Sequence, residues 1–84
     1  MRSPIKVVLI EDETMFRQLI LLTLGKVKGI QVVGEFGLGK PGLDYCLREK
    51  PDMLVVDLML PDCLGVEVAE QLIRDRPEAR VIVL

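Results

Sequence analysis

The sequence predicts an α/β fold with a parallel sheet, in the order β-α-β-α-β-α-β. Three observations carry this. The runs Ile5–Ile10 and Met53–Val56 are nearly continuous and apolar, which marks strands buried on both faces, and the shorter runs Ile30–Gly34 and Val81–Leu84 also read as strands. Longer stretches with helical spacing separate them. Glycine and proline punctuate the junctions.

Taken in order, Ile5-Lys6-Val7-Val8-Leu9-Ile10 reads as the first strand and stops at Glu11-Asp12-Glu13. A helix should open near Glu13 or Thr14 and end by Gly25 or Val27. Acids suit its positive end, and Gly25 and Gly29 supply stop signals. Met15, Phe16, Leu19, Ile20, Leu21, Leu22 and Leu24 make it greasy on more than one face, which implies contacts on more than one side. Ile30 to Gly34 reads as the second strand. A short helix should cover Pro41 to Glu49, with Pro41 in its first turn and Leu43 and Leu47 on its inner face. Pro51 and Asp52 break it. Met53-Leu54-Val55-Val56-Asp57 reads as a third buried strand ending on a carboxylate. A loop follows from Leu58 to Leu64, then a helix from Val66 to Asp75 with Val68, Leu72 and Ile73 on a related face. Pro77 ends it, and Arg80 leads into a fourth strand, Val81 to Leu84. Strands alternating with helices argue for right-handed crossovers and helices on both faces of the sheet.

Composition excludes several function classes. With 84 residues the chain is one domain at most. Half the residues are apolar and 29% are charged, which is globular rather than disordered. A net charge of −2, with scattered basic residues, gives no footprint for nucleic acid or an acidic membrane. Histidine is absent, and Cys46 and Cys63 lie far apart, so no zinc motif exists. Cys46 reads as a buried structural thiol, whereas Cys63 falls in a turn. The first apolar run is too short for a signal peptide or a membrane span, which suggests a reducing, cytoplasmic setting. Gly34, Gly37, Gly39 and Gly42 hint at a phosphate-cradling loop. Their spacing is not that of the nucleotide-binding motif, however, and Lys40 is followed by Pro41.

The chemistry sits in the acids. Ligands of open parallel sheets bind beyond the carboxyl ends of the strands, where strand order reverses. The first strand ends at Glu11 and Asp12, and the third at Asp57. If those strands are neighbours, three carboxylates converge. Like charges so close raise one another's pKa unless a cation neutralises them. Hard oxygen donors suit Mg2+, which can bridge to phosphate oxygens. Asp57 could then attack phosphorus as a nucleophile. The blander reading stands beside this one: an acid after a strand is often only a helix cap or a solvated loop end, and Glu13 reads as a helix-dipole acid.

Here the sequence resembles a known family. Val8-Leu9-Ile10-Glu11-Asp12-Glu13 is similar to the first strand and acidic pair of response-regulator receiver domains. Leu54-Val55-Val56-Asp57-Leu58-Met59-Leu60-Pro61-Asp62-Cys63-Leu64-Gly65 is similar to their phosphoacceptor motif, with proline four and glycine eight residues after the aspartate. The resemblance implies a flavodoxin-like sheet of order 2-1-3-4-5, truncated here after the fourth strand. It implies one receiver domain over residues 1–84, incomplete at its carboxyl end. By the same resemblance Asp57 is the phosphoacceptor, taking its phosphoryl group from a histidine kinase. Asp12 and Asp57 would give oxygens to Mg2+, Met59 its carbonyl, and Glu11 would act through water. Pro61 and Gly65 would shape the loop.

Val32-Val33-Gly34-Glu35 and Ala79-Arg80-Val81-Ile82-Val83-Leu84 resemble receivers that precede a helix-turn-helix output domain, hence transcription regulation. Family members also carry a Thr or Ser after the fourth strand and a Lys after the fifth, and these 84 residues hold neither. An apolar fourth-strand edge and a greasy first helix would then drive self-association. Three functions follow. The first is a phosphoacceptor signalling module, which is not an enzyme in the ordinary sense. The second is an inert receiver fragment acting as a structural or self-assembling module. The third is a Mg2+-dependent phosphatase, disfavoured because Met59 stands where such enzymes carry a second aspartate.

Overall fold

The computed structural model describes residues 3–84. Its elements are β1 (Ile5–Ile10), α1 (Thr14–Gly25), β2 (Ile30–Phe36), α2 (Gly39–Glu49), β3 (Met53–Val56), α3 (Gly65–Asp75) and β4 (Arg80–Val83). The four strands are parallel in one sheet of order β2-β1-β3-β4. The flavodoxin-like α/β expectation therefore holds. No helix among the described residues is long and apolar enough to cross a membrane.

The unbroken apolar runs of β1 and β3 are explained by burial on both faces. Val8, Ile10, Leu54 and Val56 point to one side, where Cys46 of α2 and Val68 and Leu72 of α3 meet them. Val7, Leu9 and Val55 point to the other, against Ile20, Leu21 and Leu24 of α1. Successive strand residues alternate faces, so only a continuous run fills both. Cys46 is a core thiol as expected, and burial pushes its pKa up to about 11.

Several boundaries differ from the sequence reading, each for a tertiary reason. β2 runs two residues past Gly34, because Glu35 and Phe36 pair with Leu9 and Ile10. Its register shifts between Val7 and Val8, leaving Val33 as an extra residue. The bare Cα of Gly34 leaves room for the rings of Phe36 and Tyr45, which lie 5.4 Å apart between centroids. α2 opens at Gly39, two residues before Pro41, because a distant carboxylate caps it. β3 stops at Val56, so Asp57 stands just beyond the strand, and β4 takes in Arg80 and releases Leu84.

Ile73 does not share the inward face of Val68 and Leu72; it is exposed. Successive helical residues lie about 100° apart, so a neighbour of Leu72 cannot also face the sheet squarely. Leu43 and Leu47 are half-buried and pack on the core from the inner side of α2.

Candidate functional site

The site lies beyond the carboxyl ends of β1 and β3, the adjacent central strands. β1 connects outward to β2, while β3 begins the other half of the sheet, so strand order reverses between them. Backbone hydrogen bonds continue past the strands and hold the acids in place. The Glu11 N–H donates to the Phe36 carbonyl at 2.9 Å, and the Asp57 N–H donates to the Ile10 carbonyl at 2.9 Å.

Glu11, Asp12 and Asp57 converge as expected: each offers a carboxylate oxygen, and these atoms all lie within 4.8 Å of one another. Their environments differ. Glu11 is only 2% exposed, Asp57 is half-buried and Asp12 is exposed. Glu11 Oε2 accepts from the Glu13 N–H at 2.9 Å, whereas Oε1 is buried without a hydrogen-bond partner. Burial raises the Glu11 pKa, the Glu13 N–H opposes this, and the charges of Asp57 and Asp12 raise it further. Among the described residues, no Lys or Arg side chain forms an ion pair with any of the three acids. A buried acceptor left unpaired and a trio of unneutralised carboxylates fit a hard cation such as Mg2+.

Glu13 is not part of the cluster. It is the N-cap of α1, its carboxylate accepting from the Phe16 N–H. The helix-end reading of this residue is thus correct, though through a cap hydrogen bond.

Met59 stands on the loop two residues past Asp57, in an isolated bridge with Leu64, its side chain exposed. The loop folds back on itself. The Gly65 N–H donates to the Leu58 carbonyl at 2.7 Å, and the Leu60 N–H donates to the Cys63 carbonyl at 3.1 Å. Gly65 must be glycine, since a Cβ there would collide with the Asp57 carbonyl and sit 3.2 Å from the Leu58 Cα.

Two residues near the site escaped the sequence reading. Arg17 of α1 donates from Nη1 to the Glu11 carbonyl at 2.7 Å and pairs with Glu35 at 3.5 Å. It ties the acid pair to both α1 and β2. The available signal was a lone cation one turn past Glu13 within an apolar helix. Asp62 caps α2 from the loop, and the local sequence offers no sign of a partner more than twenty residues away.

A doubly wound parallel sheet with carboxylates gathered at its switch point defines a class: α/β domains with an acidic pocket beyond the carboxyl ends of the strands, where ligands of such sheets bind. Comparison with known proteins narrows it. Residues 7–84 match the family model of the response regulator receiver domain. The response regulator protein VraR of Staphylococcus saprophyticus is 38% identical over 81 residues, which is 96% of this chain and 39% of that protein. The response regulator GacA of Pseudomonas aeruginosa is 32% identical over 80 residues, 95% of this chain and 37% of that protein. Among solved structures, the signal receiver domain of a protein designated response regulator NarL, from Mycobacterium tuberculosis, superposes with a TM-score of 0.87. It is 25% identical and covers 98% of this chain and 66% of that one.

The chain belongs to the response regulator receiver domain family, the signalling modules of two-component systems. It spans less than two-fifths of the length of these curated relatives.

Proposed function

We propose that this domain accepts a phosphoryl group on Asp57 with Mg2+ at the acid site. The observation that carries this reading is the convergence of Glu11, Asp12 and Asp57 around a buried Glu11 oxygen that lacks a partner. Asp12 and Asp57 would hold the ion directly, with the Met59 carbonyl, and Glu11 would hold one of its waters. The ion supplies neutralising charge for the phosphoryl oxygens. An Asp57 carboxylate oxygen bonds to phosphorus as the bond from phosphorus to the donor breaks, and the donor leaves with that electron pair. The donor is a histidine kinase, and the domain takes part in its own phosphorylation without being an enzyme in the ordinary sense. The test is intact mass after incubation with a small-molecule phosphodonor and Mg2+. A phosphoryl adduct on wild type and none on Asp57→Asn is expected. Absence of an adduct on folded wild type would favour the inert module instead.

A second reading concerns assembly. No residue of α1 is buried, and Met15, Leu19 and Leu22 are more than half exposed, as Ile82 of β4 nearly is. These surfaces support self-association of the 84-residue chain, which light scattering would show as a dimer or larger; a monomer with cooperative unfolding counts against it. With a net charge of −2 this segment makes no direct contact with DNA; regulation of transcription would belong to an output domain. The setting would be cytoplasmic, as for the family.

A further inference from the structure

We infer that Asp62 is a positioning residue for the metal site, anchoring to α2 the loop that follows Asp57 and carries Met59. The inference rests on the Mg2+-dependent reading of that site. α2 begins at Leu38 as N-cap, which supplies no side-chain hydrogen bond. The cap comes from the β3–α3 loop instead. Asp62 Oδ1 accepts from the Gly39 N–H and Oδ2 from the Lys40 N–H, both at 2.8 Å. Those N–H groups hold the Asp62 carboxyl below its usual range.

The glycine-rich stretch therefore does cradle an anion, and the anion is the protein's own carboxylate. Packing reinforces the tie. A Cβ at Gly39 would overlap the Cys63 Sγ and lie 3.1 Å from Leu60 Cδ1, so this stretch of the loop rests on the helix start. The loop is thus closed on itself at Leu58–Gly65 and Leu60–Cys63, and anchored to α2 at its tip. Met59 lies between the closure and the anchor. Met59 thus sits between two hydrogen-bonded neighbours, Leu58 and Leu60, and outer partners that fix a ligand's loop commonly govern metal affinity.

The test compares wild type, Asp62→Ala and Asp62→Asn, with Lys40→Ala as a control that keeps its N–H. The Asn variant retains one acceptor oxygen but sets an NH2 against the second N–H, so it is the milder lesion should Ala prevent folding. Mg2+ is titrated by NMR at the Asp12 and Asp57 amides. Amide exchange of Leu60 and Gly65 is measured separately without metal.

We expect Asp62→Ala to weaken Mg2+ binding about tenfold and to speed exchange of both loop amides about tenfold. Asn should fall between, and Lys40→Ala should match wild type. A loosened loop with unchanged Mg2+ affinity overturns the inference and leaves Asp62 a helix cap alone. Unchanged loop exchange overturns it too. Failure of the wild type to bind Mg2+ overturns the site reading beneath it, and only that failure shows in the wild type.

Discussion

The two faces of the sheet are built differently. On one, α2 and α3 close over β1 and β3 so tightly that Cys46, Val68, Ala69 and Leu72 are buried together with Gly39, Gly42 and Gly65. On the other, α1 rests on Val7, Leu9 and Val55 through Ile20, Leu21 and Leu24, and buries no residue completely. Close approach explains the first face. The glycines let helix backbone and loop come within a distance that a Cβ would forbid, and Ile10 and Val68 opposite them are buried. α1 has ample apolar surface yet covers only one stripe of it. Burial is decided by what lies opposite a side chain, not by its hydrophobicity.

The sharpest way to break this comparison is to make one change on both faces. Leu72→Ala should cost about 3 kcal/mol or more in urea unfolding, the value for a fully buried leucine that leaves a cavity. If it costs under about 1 kcal/mol, the α3 face is looser than its burial implies. Next comes Gly42→Ala, whose added Cβ would press on Ile10 Cδ1 and Cγ1. A loss of about 1–3 kcal/mol is expected, and an unchanged urea midpoint would show that α2 can retreat from β1.

Arg17 sharpens the other face, because its guanidinium is a polar tie where apolar burial is thin. Arg17→Met keeps the stem and removes the hydrogen bond to the Glu11 carbonyl and the Glu35 pair. We expect a loss of about 1 kcal/mol and weaker Mg2+ binding, read by calorimetry. Stability and affinity both at wild-type values would sink the idea that Arg17 links α1 to the acids.

The pH dependence of metal-free protein follows from Glu11. Its pKa in the fold lies above the ordinary 4.5, chiefly through burial. The folded state therefore holds this proton more tightly than the unfolded state. The stabilising contribution is fully present below 4.5 and is lost as pH rises through the folded value. Glu11→Gln should flatten that part of the urea-midpoint curve and raise stability at neutral pH. A curve unchanged by the substitution would show that Glu11 is not the group responsible. The smallest effect belongs to Leu22→Ala, which should stay within about 0.5 kcal/mol, since Leu22 is 63% exposed. A loss as large as that of Leu72→Ala would mean the outer face of α1 is covered in solution.

Much of the fold was legible along the chain. β1 and β3 are continuous apolar runs, and nothing but burial on both faces suits them. Asp57 and the Glu11-Asp12 pair stand where those runs stop, so the acid cluster followed once the strands were neighbours. Ile73 was misplaced because helical spacing gives a face only approximately. The start of α2 was missed because its cap lies 22 and 23 residues away in sequence. Arg17 and Asp62 are illegible for a related reason: Arg17 Nη1 and the Asp62 carboxylate bond to backbone atoms, and the Glu35 partner of Arg17 arrives from β2.

By itself the sequence determined the order of elements, the parallel α/β class and the identity of the acids, because periodicity and strand ends are local properties of the chain. Only the tertiary structure decided that Glu11 is buried while Asp12 is exposed, that Arg17 bonds the Glu11 carbonyl while Asp62 caps α2, and that α1 keeps its outer face open. Those outcomes depend on which atoms arrive opposite one another after folding. Solvation of a carboxylate and pairing of an N–H are set by that arrangement, not by residue type.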